Sequence, residues 1–113
     1  MILSTDNIPQ VRGHCGTIRK LVSQGPAKLV HLFVDKAEKH YHKKTTEYYY
    51  VLDGTGHISL DDQIQPIKKG DVITIEPGVK HQAIEGETPL EILVIEVPPA
   101  QGDCYIVNQS TDF

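Results

Sequence analysis

Glu47-Tyr48-Tyr49-Tyr50-Val51-Leu52-Asp53-Gly54-Thr55-Gly56-His57-Ile58-Ser59-Leu60 is the stretch that decides the fold class. Residues 47–52 are aromatic, β-branched or apolar after the first, the composition that fits a pleated, half-buried surface. Asp53-Gly54 then supplies a turn pair, with a glycine free to take positive φ. Gly56 to Leu60 reads as the return strand of a hairpin. Alternate residues of a strand share a face. Glu47, Tyr49 and Val51 therefore form one face and Tyr48, Tyr50 and Leu52 the other.

The same reading extends in both directions. Gly16–Ser23, Lys28–Asp35, Gln63–Ile67, Val72–Ile75, Val79–Ile84 and Leu90–Val97 are further strand candidates. Gln24-Gly25-Pro26, Asp61-Asp62, Gly70-Asp71 and Pro77-Gly78 separate them as turns. Pro98-Pro99 stops the last strand, since proline has no ladder donor. No segment carries a helical stripe of useful length. Short strands recurring every eight to twelve residues or so indicate an all-β sandwich or small barrel. One domain is expected over residues 1–113, with an N-terminal arm at 1–15, a barrel core at 16–97 and a C-terminal tail at 98–113.

Composition narrows the function. The chain has 113 residues, 39% hydrophobic and 23% charged, with a formal net charge of −4. That balance suits a soluble domain and lacks the basic footprint of a nucleic-acid binder. Lys39, Lys43 and Lys44 form the nearest basic cluster; it reads as a solvated loop that could steer an anionic ligand. No run approaches the roughly 18 apolar residues of a membrane span. The first ten residues lack a signal-peptide pattern, so a cytoplasmic location is the expectation. Cys15 and Cys104 form no C-x-x-C pattern and are expected as two reduced thiols.

The chemistry lies among the histidines. His40 and His42 are one residue apart, so in an extended segment both imidazoles share a face. Glu47 follows five residues later and His81 follows the Pro77-Gly78 turn. Singly, each would read as a surface histidine or a turn glutamate. Together, three imidazoles and one carboxylate suit one divalent transition metal: Fe, Mn, Ni, Zn, Cu or Co. Four protein ligands also leave positions open for water or substrate, unlike a closed structural site. His14, His31 and His57 have no partner pattern.

The residues from His40-Tyr41-His42 through Glu47 to Gly54 resemble the first cupin motif, H-x-H-x(3,4)-E-x(6)-G. Gly70 through Pro77, Gly78 and His81 resemble the second, G-x(5)-P-x-G-x(2)-H. Both motifs in order, with all four ligand types, make a specific signal. Three positions depart from the pattern: Val34, Glu76 and Glu85 stand where glycine, proline and asparagine are common. None is a usual metal ligand. The resemblance implies a cupin-type jelly roll of short antiparallel strands and a metal held by His40, His42, Glu47 and His81.

Cupins include dioxygenases, isomerases, decarboxylases and non-enzymatic binders, so fold does not decide function. The expectation is a metal-dependent enzyme acting on a small polar metabolite, with dioxygenase-like or sugar-phosphate-isomerase-like chemistry. The alternative is a binding module in which the metal anchors a sugar or carboxylate. Tyr49, Glu85 and His31 are weak candidates for a general acid or base. His31 is the more natural structural histidine, and Glu85 the more natural strand-end carboxylate in water. Tyr49, Val51, Val79 and Ala83 are expected to line a largely apolar pocket. The Tyr48, Tyr50 and Leu52 face, with the apolar strands at 28–35 and 90–97, is more than a small barrel covers alone, so a homodimer is expected.

Overall fold

The computed structural model describes residues 1–107. Eleven strands run in chain order: β1 (Val11–Arg12), β2 (Gly16–Val22), β3 (Lys28–Val34), β4 (His40–Tyr41), β5 (Thr46–Asp53), β6 (Thr55–Leu60), β7 (Gln63–Lys68), β8 (Val72–Ile75), β9 (His81–Glu85), β10 (Glu91–Val97) and β11 (Tyr105–Ile106). One short 3-10 turn, Thr5–Asn7, is the helical element among the described residues. All strand pairs are antiparallel. They form two sheets, ordered β1-β2-β3-β10-β5-β8 and β11-β4-β9-β6-β7. This is the expected all-β jelly-roll sandwich.

The core lies where inward faces meet. Val30, Leu32 and Val34 from β3, Tyr49 and Val51 from β5, and Ile92 and Val94 from β10 line the six-stranded side. Ile58 from β6 and Ala83 from β9 oppose them. Strand β5 shows the period of two plainly: Glu47, Tyr49 and Val51 are buried, while Tyr48 and Tyr50 are exposed. The aromatic run is thus split between core and surface by strand geometry alone.

Strands near both ends of the described residues join the sheets. β1 adds to the edge of β2, and Arg12 forms an ion pair with Asp35 at 3.2 Å. At the other end, β11 pairs with β4, and the rings of Tyr41 and Tyr105 stack at 5.3 Å. The segment after Pro98-Pro99 therefore completes the second sheet beside the histidine pair. The remainder of the expected tail, 108–113, lies outside the described residues.

Candidate metal centre

His40 sits on the two-residue strand β4 and His81 opens β9; the two are directly paired across the sheet. His42 follows β4 in the loop, and Glu47 lies on β5 in the opposite sheet. All four are buried, and their ligand atoms lie within 4.8 Å of one another. The sandwich thus brings three ligand-bearing strands and one loop to a single point between the sheets.

Backbone carbonyls fix the direction of each imidazole. His40 Nδ1 donates to the Glu38 carbonyl at 2.9 Å, His42 Nδ1 to the Asp103 carbonyl at 2.6 Å, and His81 Nδ1 to the Val79 carbonyl at 2.9 Å. A carbonyl can only accept, so the hydrogen sits on Nδ1 in all three rings. Each Nε2 then carries a lone pair. This arrangement orients and tunes metal-binding histidines elsewhere.

The centre itself is short of donors. Glu47 Oε1 lies 2.8 Å from His42 Nε2 and 2.9 Å from His81 Nε2. These three atoms are buried with no hydrogen-bond partner. Buried polar atoms without partners are costly. A cation at their common point satisfies all of them, and nitrogen and carboxylate donors suit a divalent transition ion. The residues present therefore fit a metal.

Burial and these contacts set the charge states. Burial, then the nearby His81, pushes His40 down to about 4 and keeps its ring neutral. Burial alone would raise Glu47, but the contacts from His42 and His81 overcome it and hold the carboxyl at about 2. For His42, burial acts downward, and the Glu47 carboxylate outweighs it and raises the ring. A cation at the centre would compete with that proton.

A cavity of about 180 Å³ opens beside the cluster. His40, His42, Glu47 and Tyr49 line it, with Ile18, Val30, Leu32 and Val94 as apolar wall. Gly13, His14, Cys15, Cys104, Lys28 and Glu96 complete it. The pocket is largely apolar, as expected, but most of the residues expected to line it do not. Of Tyr49, Val51, Val79 and Ala83, Tyr49 alone lines this cavity; Val51 and Ala83 belong to the core and Val79 packs against it. The polar groups come from β3, β10 and the chain ends, which the reading of β5 and β9 left out.

The three candidate acid–base residues part company. Tyr49 is fully buried, its ring centroid 6.1 Å from that of His81. Burial and then the Glu47 charge raise its phenol well above the usual range, so it stays a hydrogen-bond donor. Glu85 is exposed at the far end of β9, roughly 13 Å along the strand from His81. Its carboxylate accepts the Lys36 N–H at 3.1 Å. His31 is buried, but on the outer face of the six-stranded sheet. It stands in the cross-strand row Arg19, His31, Leu93, Tyr50, Val72 and contacts Glu91 at 2.5 Å. Neither lines the metal cavity.

Sequence reading passed over other residues. Asp103 accepts the backbone N–H groups of Lys43, Lys44 and Thr45 at 2.9, 2.8 and 3.1 Å. With its own carbonyl on His42, it ties the whole ligand loop to the C-terminal segment. No local pattern flags an aspartate 61 residues from its partner. Cys15 and Cys104 are free thiols on the cavity wall, and Cys15 Sγ lies 3.8 Å from His40 Nδ1. Burial first, then the Glu47 charge, pushes them up to about 12 and about 11, so both stay as thiols. They are poor nucleophiles in that form.

The two-sheet β sandwich carries between its sheets a buried three-histidine, one-glutamate cluster whose donor set fits a metal ion. The chain belongs to the cupin family: the family's cupin domain model matches residues 34–96, which span the cluster and its scaffold. An uncharacterized protein of Methanocaldococcus jannaschii is 37% identical over 83 residues, which is 73% of this chain and 66% of that protein. The chain spans about two thirds of the length of the curated relatives it matches. A crystal structure of a Planctomyces limnophilus protein superposes with a TM-score of 0.84 at 27% identity, covering 93% of this chain and 95% of that one. Pac13, a nucleoside dehydratase, superposes at 0.79 over 96% and 91% of the two chains. Its 18% identity speaks for the fold alone. No described helix is long and apolar enough to cross a membrane.

Proposed function

We propose that this cupin is a metal-dependent enzyme acting on a small, oxygen-rich metabolite, with isomerase-like or dioxygenase-like chemistry. His40, His42, Glu47 and His81 hold the ion. The observation that carries the reading is the set of convergent buried donors, His42 Nε2, His81 Nε2 and Glu47 Oε1, that lack any hydrogen-bond partner, with His42 and Glu47 also lining a cavity. A divalent ion bound there supplies Lewis-acid polarisation of a ligand oxygen. The chain's own residues do the rest. The apolar wall of Ile18, Val30, Leu32 and Val94 excludes water around the ligand. Tyr49, held protonated, offers a hydrogen bond from the cavity floor.

The test is calorimetry with small hydroxy acids and dicarboxylates on metal-loaded and metal-free protein. Binding to the loaded form alone is expected. Equal binding to both forms, or none, would mean a structural ion and sink the enzyme reading.

We further propose a homodimer through the outer face of the six-stranded sheet. Tyr48, Tyr50 and Val72 are exposed there, beside the half-buried Leu29, Phe33, Leu93 and Ile95. Neighbouring rows of this face are continuous across β3, β10, β5 and β8. A contiguous apolar face of this kind favours association, and a twofold pair is the commonest form. Light scattering at high micromolar concentration should give twice the 12.6 kDa chain mass. A Tyr50→Lys variant should shift it to the monomer, and a monomeric wild type would rule the proposal out.

A further inference from the structure

Glu96 is the one cavity residue that the fold gives no reason to keep. The inward face of β10 runs Ile92, Val94, Glu96, so an apolar side chain would continue the core series. A carboxylate stands there instead, directly across the sheet from Glu47. Like charges placed opposite one another on a sheet destabilise it. Lys28, its neighbour on the other side, offsets this only in part: Lys28 Nζ to Glu96 Oε2 is 3.6 Å. Among the described residues, no other side chain bonds either group. Both residues line the cavity, so their charged heads are available to a ligand there. The same two residues also line an outer depression of about 560 Å³ with Lys20, Gln24 and Gln101, so they are shared between that depression and the metal-side cavity.

Resting on the reading of a metal-anchored ligand, we infer that the Lys28–Glu96 pair is the specificity element of the site. It reads a hydroxyl group one or two carbons beyond the carboxylate end that the metal holds. An ionised carboxylate only accepts and an ammonium only donates. A hydroxyl does both and satisfies the pair, whereas an apolar end leaves it desolvated and unpaired. The ligand class is accordingly a small polyhydroxy acid. A cavity of about 180 Å³ has room for a carbon skeleton of three or four atoms beside its polar groups.

Glycerate and lactate differ by that single distal hydroxyl and are the probes. Both are titrated calorimetrically at pH 8 into metal-loaded and metal-free protein, for the wild type, Glu96→Met, Glu96→Gln and Lys28→Met. The wild type should prefer glycerate by roughly 10- to 100-fold, the range of one hydrogen bond to a charged group. Glu96→Met, which extends the apolar series and should fold, should bind both acids alike with its metal content unchanged. Glu96→Gln keeps an acceptor and should retain part of the preference, and Lys28→Met should reduce it. Metal-dependent binding of both acids with equal affinity in the wild type would overturn this inference alone. So would a preference that survives in Glu96→Met, or loss of metal from that variant. If neither acid distinguishes loaded from metal-free protein, the reading of the site fails first and the inference with it.

Discussion

His81→Ala should purify with almost no bound metal, while the wild type carries one ion per chain. His81 is fully buried, pairs with His40 across the sheet, and aims Nε2 at the point that Glu47 and His42 also face. Alanine removes a ligand and leaves a void that the two rigid sheets cannot close. Loss of an outer partner of a metal histidine already costs 10- to 100-fold in affinity. Loss of the ligand itself should exceed about 100-fold. His42→Ala should behave likewise. The fold should survive, because none of the four ligands belongs to the apolar core of Val51, Ile58 and Ile92. Elemental analysis by mass spectrometry and far-ultraviolet circular dichroism read the two effects separately. The proper reference for stability is chelator-treated wild type, since a bound ion itself stabilises the folded state. Unchanged stoichiometry in both variants would refute the four-ligand site.

The reason this site could be read from sequence is local. His40 and His42 announce a shared face by their spacing, and the Pro77-Gly78 turn delivers His81 to the start of β9. Alternation along β5 assigned Glu47, Tyr49 and Val51 to the interior, and the structure buries all three. Long-range placement was less legible. β4 is two residues long and β11 pairs with it from the far end of the chain, so neither has a period to detect. Asp103 acts through backbone N–H groups of the ligand loop, which leave no trace in residue identity. Glu96 did leave a signal: in Leu90–Val97 it has the parity of Ile92 and Val94. A charged residue in register with an apolar face is the kind of local conflict that marks functional sites. His31 shows the limit in the other direction. It reads as a structural histidine within an apolar strand, but β3 has buried residues of both parities, so the pattern could not tell the metal side from the outer one.

Gly54→Ala should cost far more stability than Gly70→Ala, although Gly54 closes the first sequence motif, Gly70 opens the second, and both have φ near +90°. At Gly70 an added Cβ meets nothing within 4 Å. The substitution there carries only the penalty of a left-handed backbone, about 1–2 kcal/mol. At Gly54 the same Cβ would lie 1.8 Å from the Pro89 carbonyl oxygen and 2.6 Å from its carbon. Those atoms are backbone and cannot swing aside. Leu90, next to them, is almost wholly buried, and its carbonyl accepts the Val34 N–H at 3.0 Å, so the segment is held in place. Forcing it outward adds a further cost of about 1–3 kcal/mol, the usual range for overpacking. The expected total is about 2–5 kcal/mol, a large part of the roughly 5–15 kcal/mol that holds a small domain folded. Urea titration of the metal-free variants should place the Gly54→Ala midpoint well below that of Gly70→Ala, with equal slopes. At low temperature the folded fraction of Gly54→Ala should still bind one ion, because the turn touches none of the four ligands. Equal midpoints for the two variants would show that backbone conformation alone, and not the approach of Pro89, selects glycine at the end of the first motif.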